Sequence, residues 1–147
     1  MCLAVLLNSC KKSNPEPPAI VNTDISFKVD GVEKKINSIS VVKYPLPSGD
    51  MVQILAKNGN EDFTLQIFNP SAALSDGEIS YNSDNTKPDN ALTSDGYSNY
   101  FTNSDNITIT SNNSDGIAGT FYFFVTLPND VNVVTISEGK FNCKFTH

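Results

Sequence analysis

The chain is short of the residues that catalysis most often draws on. Across 147 residues there is one histidine, the terminal His147, and there are three cysteines, Cys2, Cys10 and Cys143. A serine or cysteine nucleophile needs a base beside it, and a single histidine, the last residue given, is not expected to supply one. Zinc sites want clustered His and Cys, which these counts forbid. Neither a Gly-x-Ser-x-Gly elbow nor a phosphate-cradling glycine loop occurs. No stretch reaches the ~20 apolar residues of a membrane-spanning helix. Net charge is −6 and the lysines are scattered, so the cationic face that displaces counterions from nucleic acid is missing. These absences lead to the expectation of no enzyme, no cofactor, no metal site and no nucleic-acid partner.

What is present is Asn, Ser, Thr, Asp, Val, Ile, Phe and Tyr, the balance of strands joined by Asx-rich turns. Runs of Leu, Ala, Glu and Arg are scarce. A single domain of this size buries roughly two-thirds of its unfolded surface, so it needs no staple.

The N-terminus has a different character. An apolar run, Leu3 to Leu7, leads to Ser9 and Cys10, and polarity flips at Lys11 and Lys12. Leu7-Asn8-Ser9-Cys10 resembles the lipobox of bacterial lipoproteins, with a large aliphatic three places before the cysteine and a small residue just before it. The resemblance implies that Cys10 is lipidated and becomes the mature N-terminus. Each buried CH₂ of an acyl chain adds roughly 0.8 kcal/mol, so several chains anchor stably. No basic n-region precedes Leu3 and the run is short; the expectation is therefore a signal peptide over 1–9 whose true start lies upstream. Residues 10–23 carry Pro15, Pro17 and Pro18 and read as an extended tether. Residues 24–147 form the domain. With Cys2 removed and Cys10 lipidated, only Cys143 remains, which leaves no intramolecular disulfide. Its Phe141-Asn142-Cys143-Lys144-Phe145 setting predicts a buried strand thiol.

Within the domain, turn dipeptides recur: Asp30-Gly31, Ser48-Gly49, Asn58-Gly59, Asp76-Gly77, Asp95-Gly96, Asp115-Gly116 and Glu138-Gly139. All suit hairpin turns. Between them lie runs of period-two alternation. Phe27 and Val29 share a face, as do Val52, Ile54 and Ala56; Phe63, Leu65 and Ile67; and Ile107 and Ile109. Phe121, Phe123 and Val125 interleave with Tyr122 and Phe124, which predicts a strand covered on both faces. Val131 to Ile136 and Phe141 to Phe145 supply the last strands, and Pro70 to Leu74 suits one short turn of helix. The prediction is an all-β fold, an antiparallel β-sandwich of about eight or nine strands, with a closed or partly open β-barrel as the alternative.

Ser9-Cys10-Lys11-Lys12, Phe27-Lys28-Val29-Asp30-Gly31, Ile107-Thr108-Ile109-Thr110, Gly119-Thr120-Phe121-Tyr122-Phe123 and Ile136-Ser137-Glu138-Gly139-Lys140-Phe141 follow in order. In this the chain resembles uncharacterised lipoproteins of Bacteroidota-type bacteria. The resemblance spans most of the mature domain and implies an all-β fold and an envelope address. It implies no catalytic residues.

The carboxylates Glu61 and Asp62 adjoin the Asn58-Gly59 turn and read as solvated turn residues. The segment 81–106 is longer than most connections. Its Asp84, Asn85, Asp89, Asp95, Tyr97, Asn99 and Tyr100 are candidate ligand-binding residues. Tyrosines with amides suit a glycan or peptide, although the absence of Trp weakens the glycan case. The acidic and amide oxygens suit Ca²⁺, without EF-hand spacing. The plainer reading is that Tyr97 to Phe101 form an edge strand. The expected function is a non-catalytic, lipid-anchored envelope protein displaying a β-sandwich for structural contact or for an envelope protein or glycan partner; the alternative is a lipoprotein that binds glycan, peptide or Ca²⁺ through the 81–106 loop. Lys11, where an aspartate would mark inner-membrane retention, favours the outer membrane, with either face open.

Overall fold

A computed structural model of the chain describes residues 22–70, 73–82, 96–101, 107–126 and 133–146. The strands are β1 (Asp24–Val29), β2 (Val32–Glu33), β3 (Ser38–Leu46), β4 (Gly49–Asn58), β5 (Glu61–Phe68), β6 (Ala73–Leu74), β7 (Asp76–Asn82), β8 (Gly96–Phe101), β9 (Ile107–Asn112), β10 (Gly116–Thr126) and β11 (Val133–Lys144). No helix occurs among the described residues. Leaving aside the two-residue ribbons β2 and β6, nine strands form two antiparallel sheets, β9-β10-β11-β1 and β8-β7-β5-β4-β3. A single pairing, Thr126 with Ser98, joins β10 to β8. The ladder ends at β2 and β3 without closing, so the fold is the predicted β-sandwich and not a barrel.

Alternation builds the core as the sequence predicts. Phe27, Val29, Val52, Ile54, Ala56, Phe63, Leu65, Ile67, Ile107 and Ile109 are all buried. Phe63 of β5 stacks on Phe27 of β1, with ring centroids 4.3 Å apart, and lies 5.5 Å from Phe121 of β10. Two of these rings belong to one sheet and the third to the other, so this seam is what makes two sheets one core. Burying each ring contributes roughly 1.5–3 kcal/mol, and each aromatic pair adds about 0.5–1.5 kcal/mol. Cys143 is a fully buried free thiol on β11, as expected.

The turn dipeptides divide by context. Asp30-Gly31 closes the β1–β2 hairpin with φ of 48° and 81°, the left-handed pair that a two-residue turn needs. Asp115-Gly116 follows an Asx turn in which Asn113 Oδ1 accepts from both backbone nitrogens. At Ser48-Gly49 the turn sits one residue earlier, on Pro47 and Ser48, and Gly49 pairs with Leu46. Asp76-Gly77 makes no turn. It lies inside β7, paired to Phe68 and Ile67 of β5.

Glu138-Gly139 makes no turn either. The two expected strands on either side of it are one twelve-residue strand, β11. Both neighbours skip a residue here: Ser26 and Lys28 pair with Lys140 and Ser137, and Phe121 and Phe123 pair with Gly139 and Ile136. This is a β-bulge, with Glu138 at φ 53°. The same left-handed residue can serve a turn or a bulge, and pairing on both flanks decides which. A Cβ on Gly139 would stand 2.4 Å from the Phe121 ring, so the glycine makes room for the aromatic seam.

Ala73 and Leu74 do not form a helical turn; they pair with Ile109 and Thr108, because the edge of β9 offers ladder groups. The outer face of β10 is only partly covered among the described residues: Tyr122 and Phe124 are 41% and 48% exposed, packed edge to face at 5.0 Å.

The exposed edge at β3 is blunted. Pro45 brings no N–H to it. The Val41 carbonyl accepts a hydrogen bond from Thr146 Oγ1 at 3.0 Å, and Lys43 lies over the Phe145 ring. Such features deter pairing with a second chain.

Strand register also gives the sandwich two distinct ends. Asp24 pairs with Asn142, and Asn142 with Ala118, at one end. The Asp30-Gly31 turn, Thr126 and Val133 stand at the other. Through Thr126 and Ser98, that far end continues to Gly96, Asn82 and the Asn58–Glu61 turn.

Candidate functional site

At the flank where the two sheets are not joined by a ladder, polar side chains converge on Glu61. After β2 the chain turns back along β1, with Lys34 N bonded to the Phe27 carbonyl, and this brings Lys34 over the other sheet. Its Nζ donates to Glu61 Oε1 at 2.5 Å. Tyr81 OH donates to the same oxygen at 2.6 Å, and Asn58 Nδ2 donates to Oε2 at 3.1 Å. Asn37 Nδ2 in turn donates to Asn58 Oδ1 at 3.1 Å. Lys34 Nζ also sits 5.7 Å from the centre of the Tyr81 ring, a cation–π contact. Phe27, Ala56 and Phe63 floor the cleft, whose volume of about 10 Å³ has room for no more than about one water.

Glu61 is therefore not the solvated turn residue that its neighbours in sequence suggest. Its side chain is 23% exposed and that of Lys34 is 20% exposed. Asp62 faces Lys57 at 3.4 Å, a surface pair of small energetic weight. The miss has a physical origin. The Asn58–Glu61 pair closes a two-residue loop, so Glu61 already stands on the strand, where cross-sheet partners reach it. Tyr81 carried a signal, since it continues the inward phase of Ile79 and is 4% exposed, and a buried phenol needs a partner. Nothing local marked Lys34.

The electrostatics describe a clasp. Burial disfavours the Glu61 carboxylate, but the hydrogen bonds from Lys34 and Tyr81 outweigh it and hold the group below its usual range. For Lys34, burial is likewise outweighed by Glu61 and Tyr81, and the ammonium titrates above its ordinary value. Burial first, then the bond to Glu61, pushes Tyr81 up to about 12. Every group is thus moved away from neutrality, opposite to what proton transfer at pH 7 requires. The arrangement can lock one sheet to the other, and its cleft is too small for an organic ligand.

Of the residues singled out for ligand binding, only the backbones of three are described, and Tyr97 pairs with Tyr81. Asp84, Asn85, Asp89 and Asp95 lie outside the described residues, as does Cys10. The backbones of Tyr97, Asn99 and Tyr100 form β8, paired along its length to β7 and at one point to β10. Among the described residues no three His, Cys, Asp or Glu stand together to hold a metal. Among the described residues there is likewise no helix long and apolar enough to cross a membrane.

The fold thus defines an antiparallel β-sandwich carrying a cross-sheet ionic clasp. No protein-family profile matches the chain, and neither a curated protein nor a solved structure matches it.

Proposed function

We propose that this chain is a non-catalytic cell-envelope lipoprotein, held by lipid on Cys10 and displaying its sandwich for structural or partner contact. The observation that carries the reading is the polarity of the fold. The first strand enters at the end holding Asp24, while Asn82, Gly96, Thr126 and Val133 stand at the opposite end. A domain tethered through its N-terminus would present that far end outward. In extended geometry at ~3.1 Å per residue, a segment the length of residues 10–23 would reach roughly 40 Å, enough to lift a domain clear of a bilayer surface. The lipobox-like Leu7-Asn8-Ser9-Cys10 and the likeness to Bacteroidota-type lipoproteins support the same address, and Lys11 favours the outer membrane. The clasp around Glu61 is tuned away from proton transfer, which is consistent with a display role.

The test is metabolic labelling with a fatty acid, followed by fractionation of cells producing the protein from its native locus. The wild-type chain should carry label and sediment with the envelope, and Cys10→Ala should lose both. A Cys10→Ala chain that still sediments with the envelope would sink the anchor. Protease shaving of intact cells then assigns the face.

A further inference from the structure

Asn58-Gly59 is the chain's one Asn-Gly step, and it sits at the clasp. We propose that Asn58 is a site of spontaneous deamidation, and that its conversion to a carboxylate releases the Lys34–Glu61–Tyr81 link between the sheets. The chemistry needs only water. The Gly59 backbone nitrogen attacks Asn58 Cγ. A new N–Cγ bond forms, the Cγ–Nδ2 bond breaks, and ammonia leaves with the proton that Gly59 gave up. Water then opens the cyclic imide at either carbonyl, giving aspartate or isoaspartate, and no atom changes oxidation state. Gly59 has no Cβ to hinder the approach.

The fold gates this step. Asn58 ends β4 and pairs with Glu61 across the turn, with Gly59 at φ 56°. Its amide is held on both atoms: Oδ1 accepts from Asn37, whose own backbone N is bonded to the Lys57 carbonyl, and Nδ2 donates to Glu61. Attack requires both bonds to release, so the rate follows opening of the hairpin tip.

The product acts on the same partner. Where Nδ2 donated to Glu61 Oε2 at 3.1 Å, a carboxylate oxygen now faces a carboxylate oxygen. Lys34 can neutralise only one of the two charges. Isoaspartate also lengthens the backbone by one carbon at the pair that closes the hairpin. Either product turns an attractive contact into a repulsive one and frees Lys34 and Tyr81 from Glu61.

The experiment incubates the purified chain at mildly alkaline pH and follows each asparagine by peptide mapping. Conversion should concentrate at Asn58. Asn37→Ala removes one arm of the clamp and should raise the rate about two- to tenfold. Asn58→Gln should abolish the signal while preserving the fold. Asn58→Asp, made directly, should melt roughly 3–8 °C below the wild type, but close to its parent when made on a Glu61→Gln background, because the repulsion is absent there. The proposal is overturned if Asn58 stays an amide in the folded chain while the unfolded chain converts, or if Asn58→Asp melts with the wild type.

Discussion

Replacing Glu61 by Gln tests the clasp most directly. Gln keeps the size of the side chain but removes the charge that Lys34 and Tyr81 address at 2.5 and 2.6 Å. A fully buried charge left without its partner costs about 3–5 kcal/mol. Lys34 retains 20% exposure and can turn its ammonium to water, so the expected loss falls to about 1.5–3 kcal/mol. The assay is urea unfolding across pH. The folded pKa of Glu61 is lowered, so the folded state binds fewer protons than the unfolded one at acid pH. Its contribution is therefore full above the unfolded value of about 4.3 and vanishes as pH falls through the folded value. Wild type should lose that increment on acidification, and Glu61→Gln should lack it. Added salt should change the difference little, because partly buried pairs are poorly screened. A variant within about 0.5 kcal/mol of wild type at neutral pH would mean that the cluster is an ordinary surface ion pair, and the clasp would fall.

Two more outcomes follow from the core. Gly139→Ala drives a Cβ to 2.4 Å from the Phe121 ring and should cost about 1–3 kcal/mol by overpacking; an unchanged urea midpoint would show that the bulge absorbs it. Burial first, with the Asp24 charge adding to it, pushes Cys143 up to about 12 from 9.0. Its folded pKa is raised, so its contribution is full below the unfolded value and is lost as pH rises towards 12. Tyr81 and Lys34 shift the same way, so stability should decline on the alkaline side. At mildly alkaline pH the folded thiol holds about a thousandfold less thiolate, so a thiol reagent should label the native chain at least that much more slowly than the denatured one. Equal labelling rates would contradict the burial of Cys143.

The fold class and most of the core were legible because alternation is a local property. Residues such as Val52, Ile54 and Ala56 carry their facing in their spacing, and they are buried, as are Phe63, Leu65 and Ile67, and Ile107 and Ile109. Asp30-Gly31 and Asp115-Gly116 were legible as turns for the same reason, since their backbone preferences act within a few residues. What a dipeptide alone could not settle was its surroundings. Glu138-Gly139 offers a left-handed residue, and only strands on both sides of it, β1 and β10, make that residue a bulge rather than a turn. Closure was likewise a long-range matter, decided by which strands stayed unpaired at β2 and β3. The clasp lay furthest from view. Lys34 and Glu61 are 27 positions apart, on elements that meet only when the sheets stack, and no period or spacing in the sequence encodes that meeting. Local spacing set most of the inward-facing residues and the places where the chain could turn. Tertiary structure alone decided which inward faces meet, because sheet stacking depends on the fit of two whole surfaces at once.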